Sequence, residues 1–273
     1  MLEKIAEHAP VYKKPLPFPI VQETAGHVGY TILWVVFALM LLSSISYIVM
    51  AFRLKKEMRL FHYITTMITL TAALSYYAMA THGGTTYARV GKDHFRQIFY
   101  ARYVDWSITT PLLLLDLAFL AGTSGIDIVA LIFADLGMIL TGLFASLESH
   151  KVYRFGWWAM GCVFYLYIVY ALVFIGRTTA SARGNKVSQL FDQVAFLTLL
   201  LWTAYPVVWA VSEGLGLVNV DTEIGIYAVL DVTAKAVFGF WLLGGHAKTP
   251  ESAVPLEGFW INGVSLGGQN DLA

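Results

Sequence analysis

Charge is what this sequence has least of. Only 13% of its 273 residues are Asp, Glu, Lys or Arg and 58% are hydrophobic, where a typical soluble domain is about 25% charged. That excludes an ordinary water-soluble domain and points to an integral membrane protein. The 18 basic and 18 acidic residues cancel, which removes the bulk electrostatic case for nucleic acid or an acidic partner. Cysteine is scarcer still. Cys162 has no intramolecular disulfide partner, and without a CxxC pair or a Cys/His cluster there is no metal site to propose. It reads as a small buried apolar residue. The eight Pro and 23 Gly follow no period, so neither a collagen-like nor a low-complexity chain fits.

What is present is a succession of apolar runs. A helix crosses the hydrocarbon layer with about 20 largely apolar residues, and seven runs of that kind occupy 27–52, 60–81, 96–120, 126–147, 154–176, 190–212 and 224–246. The expected fold is an all-α membrane protein, a seven-transmembrane-helix bundle spanning 27–246, with an N-terminal tail 1–26 and a C-terminal tail 247–273. The first tail carries Lys4, Lys13 and Lys14 with Pro15, Pro17 and Pro19 and lacks a short apolar core with a cleavage site, so no cleavable signal peptide is expected. The loop Gly83–Phe95 has the composition of a short β-hairpin. The tail beyond Ala247 is expected to be loosely ordered.

Loop charge sets the orientation. Arg53, Lys55, Lys56 and Arg59 crowd the first loop and Arg177, Arg183 and Lys186 the fifth, whereas the sixth carries Glu213, Asp221 and Glu223 with no Lys or Arg. Lys13, Lys14, Arg89, Lys92, Lys151 and Arg154 on the opposing side weaken the bias without reversing it. The positive-inside rule then puts the N-terminus outside and the C-terminus in the cytoplasm. His27, His62 and His82 read as solvated histidines at helix ends.

Six charged groups lie inside the apolar runs: Arg102, Asp105 and Asp116 in the third, Asp135 in the fourth, Asp231 and Lys235 in the seventh. Each costs on the order of 3 kcal/mol at the bilayer centre. The bland alternative is a set of structural ion pairs. Spacing argues for more, because Arg102, Asp105 and Thr109 share one helical face at i, i+3 and i+7. Asp116 lies about three turns, roughly 16 Å, further along nearly the same face. Two carboxyls stacked through a membrane suit a proton relay, since a carboxyl in apolar surroundings holds its proton until a neighbour takes it. Asp231 and Lys235 share a face at i, i+4, with Ala234 and Ala236 leaving room beside the amine. A desolvated lysine is a competent nucleophile toward an aldehyde and would form a Schiff base, with Asp105 and Asp231 as counter-charges. An ion pair bridging to Arg102 is the structural alternative.

Aromatic residues are the third element. Tyr77, Tyr103, Trp106, Trp157, Trp158, Trp202, Tyr205 and Trp209 are too many for interface belts alone, although Trp157 and Trp209 are the first candidates for belt or core. The rest could wall a slot for a flat conjugated ligand, with Met138 and Gly142 on one side. Pro206 gives the sixth segment a place to bend.

Four motifs carry a family resemblance. Ala101-Arg102-Tyr103-Val104-Asp105-Trp106-Ser107-Ile108-Thr109-Thr110-Pro111 through Leu115-Asp116 is one. The others are Tyr153-Arg154-Phe155 with Trp157-Trp158, Trp202-Thr203-Ala204-Tyr205-Pro206-Val207-Val208-Trp209, and Leu230-Asp231-Val232-Thr233-Ala234-Lys235. Together they resemble the microbial (type 1) rhodopsins, and among them the proton pumps that include bacteriorhodopsin and its fungal relatives. The resemblance implies all-trans retinal on Lys235 as a protonated Schiff base, Asp105 as proton acceptor, Asp231 as second counterion and Arg102 as the link to the outside. It further implies Asp116 as cytoplasmic donor and Glu213 with Glu223 as the proton-release pair. Tyr103, Trp106, Thr110, Met138, Gly142, Trp158, Trp202, Tyr205 and Pro206 fall on its retinal-pocket positions, and Asp135 on that of a protonated Asp bonded to Thr110. Gly161, Cys162 and Tyr165 depart from the archaeal pattern near the retinal ring, and the sixth loop has Asn219 and Val220 in place of its proline.

The implied activity is a light-driven outward proton pump in the plasma membrane, a transporter and not an enzyme, and family members often assemble as trimers. The alternative is a photosensor of the same fold. Family sensors commonly lack the donor carboxyl that Asp116 keeps, and the family's chloride pumps replace the acceptor carboxyl that Asp105 keeps. Replacing Lys235 by Ala is expected to leave a protein that stays colourless when retinal is added; a visible absorption band in that variant would refute the assignment of the lysine.

Overall fold

The computed structural model describes residues 21–90 and 94–254. Seven long helices account for most of it: α1 His27–Phe52, α2 Leu60–Ala80, α3 Tyr100–Ala121, α4 Gly125–Leu147, α5 Lys151–Ala182, α6 Asn185–Gly214 and α7 Val220–Lys248. Six are long and apolar enough to cross a membrane. The exception, α2, carries Thr65, Thr66, Thr69 and Thr71 among its apolar residues.

The chain's local chemistry sets the helix ends. Ser124 accepts a hydrogen bond from the Asp127 amide and Asn219 one from the Thr222 amide, each capping the first turn of its helix. Gly122 ends α3 in the left-handed region (φ 75°), which a residue without Cβ adopts freely. Short connections then make sequence neighbours antiparallel, with α1 against α2 and α4 against α5, while α7 closes the ring onto α1.

The distribution of polarity is that of a lipid-embedded bundle. Ile126, Phe133, Val163, Phe196 and Val229 are among the most exposed side chains, whereas Arg102, Asp105, Asp116, Asp135, Asp231 and Lys235 are all buried. Apolar residues face lipid and charges face the interior because the bilayer cannot solvate an ion.

The expected hairpin is present as β2 Thr86–Arg89 and β3 His94–Ile98, paired antiparallel. A third strand, β1 Val21–Glu23, lies parallel to β3 with Glu23 opposite Arg96. The third run therefore does not begin as a helix at 96: Arg96–Ile98 belong to the sheet, and α3 starts at Tyr100. His62 is buried in α2, contrary to its reading as a solvated histidine; His27 and His82 are exposed. The chain just beyond Ala247 is ordered too. Pro250–Ser252 form a 3-10 turn, Ser252 bonds His246, and Arg183 donates to the Glu251 and Ala253 carbonyls. The calls on Lys4, Lys13, Lys14 and the early prolines lie outside the described residues, as does the tail beyond Val254.

Three helices contain a π-helical turn: Ala171–Gly176 in α5, Ala210–Gly214 in α6 and Val232–Val237 in α7. The last holds Lys235. Such turns leave the regular i to i−4 ladder and must satisfy backbone groups otherwise. Here Tyr47 of α1 donates its hydroxyl to the Ala236 carbonyl at 2.5 Å. Gly239 makes room for it, since a Cβ there would stand 2.6 Å from the Tyr47 oxygen. Tyr47→Phe removes that bond and should cost about 1 kcal/mol, read as a lower unfolding temperature; an unchanged temperature would show that the bond contributes nothing.

Candidate functional site

Lys235 stands at the centre of the bundle. Its Nζ donates to Asp105 Oδ2 at 2.7 Å and to Asp231 Oδ1 at 2.8 Å, joining α7 to α3. The i, i+4 spacing places Asp231 and Lys235 on one face, and the π turn carries the lysine past it toward α3. Leaving either charge alone there would cost several kcal/mol, so the three groups hold one another in place.

The two carboxylates differ in their other partners. Asp231 Oδ2 accepts from the Tyr76 hydroxyl at 2.7 Å, and its Oδ1 accepts from Tyr205 at 2.8 Å and from Trp106 Nε1 at 3.3 Å. Asp105 Oδ1 has no hydrogen-bond partner among the described residues. Protonating Asp231 would break donated bonds that favour its charge, whereas Asp105 can take a proton at a free oxygen without losing one. Thr109, one turn below Asp105, bonds the Asp105 backbone carbonyl at 2.9 Å.

A cavity opens beside Lys235, walled by Tyr103, Trp106, Met138, Trp158, Trp202 and Tyr205, with Thr110, Gly142 and Pro206 also on its lining. The nearest side-chain atom to a Cβ built on Gly142 is Tyr103 Cε1 at 3.4 Å, so this glycine keeps the wall flat. Gly161, Cys162 and Tyr165 line the cavity as well, and so does Trp209, which donates to Ser146 Oγ at 2.7 Å and belongs to the interior, not a belt. Trp158 Nε1 donates to the Pro206 carbonyl at 3.1 Å, tying α5 to α6 at the proline. Tyr77 does not line it. It is exposed and packs on Trp34 and Phe37, because one helical residue is a 100° rotation and the inward tyrosine is Tyr76.

Asp135 Oδ2 and the Trp106 carbonyl oxygen both lie 2.7 Å from the Thr110 hydroxyl oxygen. A hydroxyl has one proton, so both contacts are hydrogen bonds only if Asp135 supplies the second. Asp116 sits apart in α3, fully buried, with neither oxygen bonded to a described residue.

At the other end of α3, Arg102 stacks over the Tyr227 ring at 4.2 Å and donates to Glu223 Oε1 at 2.8 Å, with Glu213 Oε1 at 3.7 Å. Tyr103 donates to Glu213 Oε2 at 3.0 Å and touches Ser146. Reasoning from sequence missed Tyr76, Tyr227, Ser146, Arg96 and Glu23. The first could have been found: Thr65, Thr69, Ala72 and Tyr76 repeat on the buried face of α2. Arg96 could not, because Glu223 is 127 residues away.

A seven-helix membrane bundle with a buried lysine opening into an aromatic slot defines a class: proteins that hold a conjugated aldehyde inside the bilayer. Residues 27–249 match the family model described as bacteriorhodopsin-like protein. The chain is 44% identical to Opsin-1 of Neurospora crassa over 268 residues, 93% of this chain and 88% of that one. It is similar to the solved structure of the light-driven proton pump LR (Mac) from Leptosphaeria maculans, with TM-score 0.82 and 47% identity over 85% of this chain and 99% of that one. Halorhodopsin, a light-driven chloride pump, shares the fold at TM-score 0.80 and 31% identity, over 85% of this chain and 100% of that one.

This protein belongs to the bacteriorhodopsin-like family of membrane rhodopsins, light-driven pumps or photoreceptors and not enzymes. Its cofactor is retinal, bound covalently through a lysine Schiff base, and Lys235 is the one buried lysine among the described residues. The cavity fits that group: an amine at one end, apolar and aromatic walls along the rest. Asp105→Asn should shift the visible band to longer wavelength, since a carboxylate beside the protonated nitrogen stabilises its localised charge in the ground state; an unmoved band would place the counter-charge elsewhere.

Proposed function

We propose that the protein is a light-driven outward proton pump, with its N-terminus outside and its C-terminus in the cytoplasm. The observation that carries this reading is Asp116. A fully buried carboxyl with no partner among the described residues is costly unless it is protonated and used, and it lies on the α3 face that also bears Asp105.

Lys235 would hold retinal, which would supply the light-driven change in the proton affinity of the lysine nitrogen. Asp105 accepts the first proton, since it touches Nζ through Oδ2 and has Oδ1 free. Asp231 stays ionised under its tyrosine and tryptophan donors and keeps the site's charge in place. Thr109 packs against the acceptor, and Asp116 returns a proton from the cytoplasmic side. Arg102, between Asp105 on its own helix and the two glutamates, communicates the charge change outward, where Glu213 and Glu223 release a proton. Tyr103, Trp106, Thr110, Met138, Gly142, Trp158, Trp202, Tyr205 and Pro206 shape the slot, and Asp135 is structural.

Directionality then follows from geometry. Charged groups run from the lysine to the outer sheet, whereas Asp116 is surrounded by the apolar side chains of the other half, so a proton moves outward by exchange and inward only by uptake at that carboxyl. A chloride pump needs room for an anion where Asp105 already puts a negative charge. A photosensor has no use for the buried donor.

Illuminated vesicles or cells holding the retinal-loaded protein should change external pH, and a protonophore should abolish the change. A coloured preparation with no such shift rejects the pump. Asp116→Asn should keep the colour but slow photocycle recovery tenfold or more, about 1.4 kcal/mol of barrier for each tenfold; recovery at the original rate would remove Asp116 from the donor role.

A further inference from the structure

The outer cluster contains more than the pair of glutamates. Arg96 of β3 is fully buried and donates from one guanidinium nitrogen to Glu223 Oε2 at 2.7 Å and from another to Glu23 Oε2 at 2.8 Å. The sheet register makes this possible, since Glu23 of β1 is the direct partner of Arg96. Glu223 is thereby held on both oxygens, by Arg102 on Oε1 and by Arg96 on Oε2.

Glu213 is held differently. Its Oε2 accepts from Tyr103, but Oε1 has no hydrogen bond among the described residues and lies 3.7 Å from Arg102. Around it stand Arg102 and Tyr103 of α3, Ser146 of α4, Arg154 of α5, and Tyr227 and Glu223 of α7. Arg154 reaches only the Glu213 backbone carbonyl, at 3.5 Å.

We propose that Arg96 is a positioning residue that separates the roles of the two buried glutamates: it fixes Glu223 as a permanent carboxylate, so that Glu213 alone stores the proton released to the outside. The inference rests on the proton-pump reading and deepens it. A proton on either oxygen of Glu223 would break a charge-assisted bond and leave a buried guanidinium short of its counter-charge. A proton on Glu213 Oε1 breaks no hydrogen bond. Movement of the Arg102 head from Glu223 toward Glu213 closes the 3.7 Å gap and expels that proton, while Arg96 keeps Glu223 charged. Glu23, partly exposed and 3.7 Å from the more exposed His94, balances Arg96 on the outer side and leads from the sealed cluster to the surface.

The test is infrared spectroscopy of the full-length, retinal-loaded protein in lipid vesicles, titrated in the dark. The difference spectrum between wild type and Glu213→Gln should contain the C=O band of a protonated buried carboxylic acid. Glu223→Gln should keep that band but lose it at more acidic pH, because Glu213 then loses a neighbouring negative charge and faces Arg102 alone. Adding Arg96→Gln to Glu213→Gln should create a new protonated-carboxyl band, on Glu223, and Arg96→Lys in the same background should not. A Glu213→Gln protein that retains the wild-type band overturns the proposal, as does a double variant that gains none. If Arg96→Gln fails to bind retinal, Glu23→Gln in the Glu213→Gln background takes its place, with the same gain expected and its absence equally decisive. External pH is followed in the same vesicles. Wild type that cycles without moving it sinks the pump reading, whereas pumping vesicles with the band on the wrong glutamate sink the role of Arg96 alone.

Discussion

The structure depends on a lysine nitrogen held between two carboxylates, all three buried in the bundle. Lys235, Asp105 and Asp231 join α3 to α7 at 2.7 and 2.8 Å, and a charge abandoned in such surroundings costs several kcal/mol. The surrounding order serves that contact. Tyr76, Tyr205 and Trp106 orient Asp231 from three other helical positions, and the π turn in α7 holds the lysine where the cavity begins. The aromatic walls exclude water, which keeps the electrostatics strong.

The two halves of the bundle are built from different materials. Toward the three-stranded sheet, Arg102, Glu213, Glu223, Arg96 and Glu23 form a continuous set of charge-assisted contacts. In the opposite half, Leu113, Leu114, Leu117 and Leu120 of α3 pack with Phe191, Leu190, Phe238 and Leu242, and Asp116 is an isolated polar group on that helix. That end carries the turn after α7, held by Arg183 and the His246–Ser252 bond. One half of the bundle is thus bridged by charge-assisted contacts, and the other is apolar around a single buried carboxyl.

The sequence was most legible where burial is periodic and costly. Seven apolar runs are fixed by the thickness of a bilayer, and all seven emerge as helices; the third starts four residues late because Arg96–Ile98 pair as strand, whereas the fifth runs on to Ala182 and the sixth and seventh start early, at Asn185 and Val220. Charged residues inside apolar runs are conspicuous for the same reason: each is expensive, so each needs a partner. Asp105, Asp231 and Lys235 were recognisable as one constellation from spacing on two helices. Less legible was anything set by rotation or distance. Tyr76 and Tyr77 are chemically alike, and only the packing of α2 says that the first bonds Asp231 while the second meets Trp34. His62 near a helix end looked solvated until the fold buried it.

By itself, then, the sequence determined the environment, the number of crossings, and the buried lysine with its counter-charges, because bilayer thickness and the cost of burying charge act on local composition. Tertiary structure decided which oxygen of which carboxylate is free. Asp105 and Asp231 are the same side chain in the same apolar setting, and they differ only in donors brought from α2, α3 and α6. Glu213 and Glu223 are likewise equivalent as residues, and they are told apart by an arginine from a strand whose partner lies at the far end of the chain. Hydrogen bonds between residues more than a hundred positions apart have no local signature, because what creates them is the closing of the bundle.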